Sequence, residues 1–485
     1  MNFSAILRYL GLLTTVIGAT MMIPLLVAAA SHELEAAPAF AVVMGLAVVI
    51  GGSITLATRR VRTQLSRRDA MVLVVGVWIT ATIFGALPYL LSGVVPNFLD
   101  AFFETMSGFT TTGATIFSSI ADKPHSILVW RSFTQWLGGL GIITLFVSLF
   151  PLFGLGASRL LEAEAPGGYA GERLTSRIRD TARIIIIIYV CLTAIQILLL
   201  VFTGLPLFDA ATIALSTVST GGFAATNLSI ESYHNLLAEI IIMVFMFLGG
   251  INFALFIWLI LRRRWTRFFG NPELRFWVLI ILVSVALVNL DLIFNKGLGV
   301  LESFRQSSFN ILSASSTTGF TSANYDAWPG FSRSLILVLM VIGASAGSTA
   351  GGLKIIRLII LFKYAYRRIL QAINPAVIVP LKIGDTTLQE ATVSRTIGLT
   401  VFYFGLLWGG FVFMAALGLP FEEAISSVAS CMSSFGPGFG AVGPYGNFEH
   451  IPGIGKAALC FFMLAGRLEI FALLVLFAPP FWRRY

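Results

Sequence analysis

Hydroxyl residues grouped around single glycines are the densest chemistry-bearing pattern in this 485-residue sequence. Four segments carry it: "DAFFETMSGFTTTGAT" from Asp100, "DAATIALSTVSTGGFAA" from Asp209, "QSSFNILSASSTTGFTS" from Gln306 and "EAISSVASCMSSFGPGF" from Glu423. Aligned on Gly113, Gly222, Gly319 and Gly436, each has a serine six residues earlier, at Ser107, Ser216, Ser313 and Ser430. Hydroxyl residues also occupy the positions three and two before every glycine: Thr110 and Thr111, Ser219 and Thr220, Ser316 and Thr317, Ser433 and Ser434. Asp100, Asp209 and Glu423, each followed by alanine, add a further shared column in three of the four. Agreement over so many columns marks an internal repeat. Two turns leave a choice of glycine, Gly221 or Gly222 and Gly436 or Gly438; Gly436 is the one that restores the serine and acid columns.

What such segments offer is oxygen. A dehydrating cation needs a ring of oxygens in place of its water shell, and backbone carbonyls supply one. Glycine permits the dihedrals that aim successive carbonyls inward, because it has no Cβ. The candidate ion-binding residues are therefore Thr111, Thr112 and Gly113; Thr220, Gly221 and Gly222; Thr317, Thr318 and Gly319; Ser434, Phe435 and Gly436. No nucleophile and base constellation stands out, so an enzyme is not expected. The cysteines (Cys191, Cys431, Cys460) and histidines (His32, His125, His234, His450) match no metal or disulfide spacing, and the histidines read as solvated surface residues. No intrinsic cofactor is implied.

The elements that must position these turns are membrane helices. Hydrophobic residues make up 57% of the chain and charged ones 11%, with a mean hydropathy of +0.89. Ten apolar stretches reach the roughly 20 residues that a bilayer core requires: near 3–30, 38–58, 70–92, 127–150, 182–204, 236–261, 273–294, 333–363, 393–418 and 455–478. The first is too long for the core of a signal peptide. The net charge of +9 resides in short loops, at Arg59, Arg60, Arg62, Arg67 and Arg68; Arg173, Arg177, Arg179 and Arg183; Arg262, Arg263, Arg264 and Arg267; Lys363, Arg367 and Arg368; and Arg483 and Arg484. That alternation is the positive-inside pattern rather than a nucleic-acid footprint, and it puts both termini in the cytoplasm. Glu162, Glu164, Glu172 and Asp180 interleave with the arginines of loop 151–182 as a solvated or partner-facing surface.

The four motif segments are too short to cross. Pro96, Pro206 and Pro420 precede three of them, where proline suits a helix start, and the acids that follow complement the positive end of the helix dipole. Asp100, Asp209 and Glu423 are read first as helix-start charges and second as a means of concentrating cations at an outer mouth. About ten helical residues rise about 15 Å, half the hydrocarbon depth. Non-helical backbone at that depth must line a cavity or be buried in protein. Four helix C-terminal ends aimed at one cavity favour a cation there. The expected fold is an all-α polytopic membrane protein: two N-terminal helices, then four pseudo-symmetric span, pore-helix, span units around one central pore.

With this fourfold register, the chain resembles the Trk/Ktr/HKT superfamily of potassium transporters along essentially its whole length, and most closely the bacterial Trk-type membrane subunit. The expected divisions are 1–69 for the two leading helices, 70–155 for the first pore unit, 156–265 for a cytoplasmic loop and the second, 266–370 for the third and 371–485 for the fourth. The resemblance implies potassium held at the filter carbonyls, since Gly113 is present where serine goes with sodium preference in some plant relatives. It implies a bacterial inner membrane location, a homodimer, and a cytosolic nucleotide-binding regulatory subunit on the basic cytoplasmic loops. The chain's own "GASAGSTAGGLK" lacks P-loop spacing.

Two features complete the expected pathway. Residues 343–352 consist only of Gly, Ala, Ser and Thr, with glycine at Gly343, Gly347, Gly351 and Gly352. Small residues commonly mean close helix packing, but so many glycines favour a flexible break beneath the filter, and the resemblance assigns such a loop a gating role. Arg467 lies in "FMLAGRLEIFALL", where a central charge costs about 2.5–3.5 kcal/mol and must face a cavity or a partner. Glu469 is two residues away and on a different helix face. The alternative functions are transport of potassium coupled to protons or sodium, and a sodium-permeable relative; inverted repeats, the mark of many secondary transporters, are not what these parallel units show.

Overall fold

In the computed structural model, which describes residues 1–60, 65–149, 178–260, 263, 265–384, 386–468 and 470–483, apolar length sets the frame. Six helices among the described residues are long and apolar enough to cross a membrane: Phe3–Ala30, Ala36–Ala57, Arg68–Leu91, Ala182–Phe202, Pro272–Lys296 and Glu390–Ala416. The described β structure is one pair of two-residue strands, Lys382–Ile383 against Thr386–Thr387. The chain is an all-α polytopic membrane protein. Its first two spans pack through facing glycines: a Cβ on Gly51 would overlap the Gly11 carbonyl oxygen, the close backbone approach that small residues permit between membrane helices.

Four half-helices lie between spans: Phe98–Phe109, Leu207–Val218, Val300–Ser315 and Phe421–Ser433. At about 1.5 Å per residue none is long enough to cross. Their starts follow the sequence chemistry. The Asn97 side chain accepts from the Leu99 N–H, while Pro206 and Pro420 are themselves the cap residues. Asp100, Asp209 and Glu423 sit in first turns, and the third half-helix has its own acid, Glu302, which the alignment missed because this helix starts at a different offset.

The ten expected spans meet one systematic correction. In the first, second and fourth units the helix after the half-helix, expected to cross unbroken, breaks instead, while the third breaks at the glycine-rich run where a break was expected. His125–Leu149 is interrupted at Gly141 (φ 72°, ψ 124°), and Leu236–Gly250 meets Phe253–Ile260 at 99°. Gly330–Ile342 stops at Gly343 and helix resumes only at Ile355, and Gly453–Arg467 ends at Leu468. Three of these helices carry a glycine where they press on the end of their own half-helix. A Cβ on Gly138 or Gly466 would overlap the carbonyl oxygen of Phe109 or Met432, and one on Gly249 would stand 3.2 Å from that of Val218. Each acceptor lies four residues before its motif glycine. Arg62, Glu162, Glu164, Glu172, Arg173, Arg177, Arg262, Arg264, Glu469 and Arg484 lie outside the described residues.

Candidate functional site

All four half-helices end in the same way. Thr111, Thr220, Thr317 and Ser434 adopt φ of 53°, 53°, 53° and 56°. The next residue then closes the helix by donating to the carbonyl of the motif serine: Thr112 to Ser107 (2.8 Å), Gly221 to Ser216 (2.8 Å), Thr318 to Ser313 (2.9 Å) and Phe435 to Ser430 (3.0 Å). This is the long bond of a Schellman cap. Its left-handed residue is usually glycine, and threonine there is an outlier that costs on the order of 1–3 kcal/mol. Surroundings fix it: the Gly351 N–H donates to the Thr317 hydroxyl (2.7 Å), and Thr220 bonds the Thr349 hydroxyl (3.3 Å). The serine column thus supplies backbone oxygens. The hydroxyls of Ser107, Ser216, Ser313 and Ser430 are buried and have no hydrogen-bond partner among the described residues.

Two residues on, Gly113, Gly222, Gly319 and Gly436 have φ of 84°, 78°, 83° and 105°. Each presses on the turn of the next unit. A Cβ on Gly113 would overlap the Gly221 carbonyl oxygen, one on Gly222 that of Thr318, and one on Gly319 that of Phe435; one on Gly436 would stand 2.7 Å from that of Thr112. The contacts run from unit to unit and return to the first, so the four turns close a ring. Gly222 and Gly436 are the ring members, rather than Gly221 and Gly438.

On one side of the ring lies a cavity of about 70 Å³, lined by all four ring glycines and by residues that follow them, such as Thr115 and Phe223. No carboxylate is among the described residues that line it. Asp100 pairs with Lys456 at 2.6 Å, and Glu423 with His450. His450 and His125 are exposed, as expected of solvated histidines, and His125 also packs edge-on against Phe208 (4.6 Å between ring centres) and lies 3.7 Å from Glu33. Their partners come from other segments, which local sequence does not reveal.

Glu104 and Arg131 were also missed. They are 0% and 1% exposed, so each charge requires a partner. Arg131 Nε meets Glu104 Oε1 at 2.7 Å, and its other nitrogens donate to Thr115 Oγ1 (3.1 Å) and the Ala224 carbonyl (3.3 Å). Its guanidinium stands 4.1 Å from the Phe223 ring centre and 5.1 Å from that of Phe117. Glu104 also accepts from the Ile116 N–H at 2.9 Å. The pair braces the chain just after the first and second ring glycines. Its one sequence signal was a carboxylate on an apolar half-helix, in "FFETM".

On the opposite side of the ring sits the glycine-rich loop. Besides its bond to Thr317, its Thr349 hydroxyl donates to the carbonyls of Val218 and Gly249 (both 3.1 Å), and a Cβ on Gly351 would overlap the Ser433 carbonyl. The loop therefore touches three of the four turns from behind. Gly343, Gly347 and Gly352 have φ of 71°, 74° and 76°. Arg467 donates to the carbonyls of Thr349 (2.9 Å) and Gly138 (2.5 Å), joining this loop to the second helix of the first unit. Glu273 is a further anchor. Only 1% exposed, it accepts from the Ala346 N–H at 2.8 Å and the Ile356 N–H at 3.2 Å, so one oxygen holds both limbs of the loop. Following Pro272, it reads in the sequence as an ordinary helix-start charge.

The arrangement offers backbone oxygens at a closed constriction, an open cavity on one side and a loop with a cation on the other. The family model described as "TrkH: Cation transport protein" matches residues 37–484. The Trk system potassium uptake protein TrkH of Salmonella typhimurium is 36% identical over 486 residues, with all of both chains covered. TrkG of Escherichia coli, another Trk system potassium uptake protein, is 33% identical over 95% of each. The crystal structure of the potassium transporter TrkH from Vibrio parahaemolyticus superimposes with a TM-score of 0.90 at 31% identity, covering both chains completely.

Proposed function

Because this chain belongs to the TrkH family of cation transport proteins, we propose that it takes up potassium through the ring of four turns, with the loop behind the ring and Arg467 as an intramembrane gate. The observation that carries this reading is the closed cycle of glycine to carbonyl contacts from Gly113 through Gly222 and Gly319 to Gly436. Carbonyls of Thr111, Thr112, Thr220, Gly221, Thr317, Thr318, Ser434 and Phe435 and of the ring glycines exchange with the ion's water shell. The four half-helix C-termini add about half a negative charge each. Positively charged Arg467 opposes a cation about 6 Å away by about 3 kcal/mol at an effective dielectric of 20, a barrier that slows passage without sealing the pore. Displacing the loop from Thr317 and Thr349 from the half-helix ends opens the route.

Potassium here is cargo. The working assembly is a homodimer in the bacterial inner membrane, with both termini in the cytoplasm and a cytosolic nucleotide-binding subunit on the basic loops. The test is isotope uptake of rubidium against sodium by liposomes containing the purified chain, with and without that subunit. Preferential rubidium entry, increased by the subunit, is expected. Equal entry of both ions refutes the filter, and a fixed proton or sodium stoichiometry replaces the channel-like mechanism with coupled transport.

A further inference from the structure

The residues just before the ring glycines are Thr112, Gly221, Thr318 and Phe435, so the second turn alone has no side chain there. In the first and third turns that side chain ties the turn together: Thr112 bonds the Thr110 hydroxyl and Thr318 the Ser316 hydroxyl, both at 2.8 Å. In the second turn the place is filled from another unit. A Cβ on Gly221 would stand 2.6 Å from Gln135 Oε1. Gln135 is fully buried on the helix His125–Leu149 of the first unit. Its Nε2 donates to the Gly221 carbonyl at 2.6 Å, and its Oε1 accepts from the Phe223 N–H at 3.1 Å. One amide thus grips the chain on both sides of Gly222. Arg131, four residues earlier on that helix, reaches the Ala224 carbonyl.

We propose that Gln135 is a positioning residue that sets the Gly221 carbonyl and thereby the ring's discrimination between cations; this rests on the filter reading above. A carbonyl held by an amide hydrogen bond is less free to turn, and the number and field strength of ring carbonyls govern which ion is accepted. The adjacent glycines of "STGGF" then have separate reasons: Gly221 makes room for Gln135, and Gly222 for the Thr318 carbonyl.

The experiment compares Gln135→Ala, Gly221→Thr and the double variant in proteoliposomes, reading the rubidium to sodium uptake ratio and the amide exchange of residues 221–224 in potassium. Gly221 is not a positive-φ residue, and because a Cβ there would stand 2.9 Å from the Gln135 Cβ as well as 2.4 Å from its Cδ, the double variant pairs Gly221→Thr with Gln135→Gly. Gln135→Ala is expected to lower the ratio about fivefold, the worth of about one buried hydrogen bond, and to speed exchange. Gly221→Thr alone, which collides with Gln135, also lowers the ratio. The double variant, which gives the second turn the residue of the first and third, recovers most of it. A native ratio in Gln135→Ala, or a double variant no better than either single one, overturns the proposal. If the native chain does not prefer rubidium, the filter reading fails; unchanged exchange in Gln135→Ala defeats the brace whatever the native preference.

Discussion

On the cavity side the four units share one backbone course, from serine carbonyl to left-handed hydroxyl residue to ring glycine, whereas on the other side their second helices break in four ways. The breaks are a single glycine at Gly141, a 99° bend, the loop from Gly343 and a helix end at Arg467. Each ring turn bears on the next, so a turn of different shape would leave a gap or a clash. The constraint on the other side is weaker. There the third unit supplies a loop, the fourth an arginine that donates to it, and the first and second supply the carbonyls of Gly138, Val218 and Gly249 to which these two donate.

The largest expected effect tests the equivalence of the ring. Gly113→Ser places a side chain at φ 84° and against the Gly221 carbonyl; strain and displacement of about 1–3 kcal/mol predict roughly a tenfold loss of rubidium over sodium preference. Serine at Gly222, Gly319 or Gly436 should match it, and one tolerant position would break the comparison. Next is Arg467→Ala, expected to raise rubidium flux about tenfold, within the roughly 3 kcal/mol that one charge can impose, with selectivity intact. Arg467→Lys should restore much of the barrier, and wild-type flux in the alanine variant would remove it from the gate. Glu273→Ala removes one tie from each limb of the loop, and loss of these buried hydrogen bonds predicts about a fivefold rise in flux; reduced flux would mean that Glu273 holds the open state instead. Smallest is Ser107→Ala. It deletes a hydroxyl that is buried without a partner among the described residues, so uptake ratio and thermal midpoint should stay near native, and a clear loss would assign that hydroxyl a role.

Much of the ring was legible because it repeats. Alignment of Gly113, Gly222, Gly319 and Gly436 needed no contact information, and the serine column found its reason only in the backbone bonds it accepts. The breaks were less legible, since Gly138, Gly249 and Gly466 read as small residues in a span until the carbonyls they accommodate are seen. Hardest were Glu104, Arg131, Gln135 and Glu273. Each acts on a distant part of the chain, so apart from the apolar setting of Glu104 nothing near it in sequence distinguishes it from a helix-start charge or a polar residue in a helix.

The ring also has an order in time. Its last contact joins Gly436 to the Thr112 carbonyl, the final unit to the first, so no shorter chain can close it. Closure of the ring therefore waits on the last of the four turns to be made.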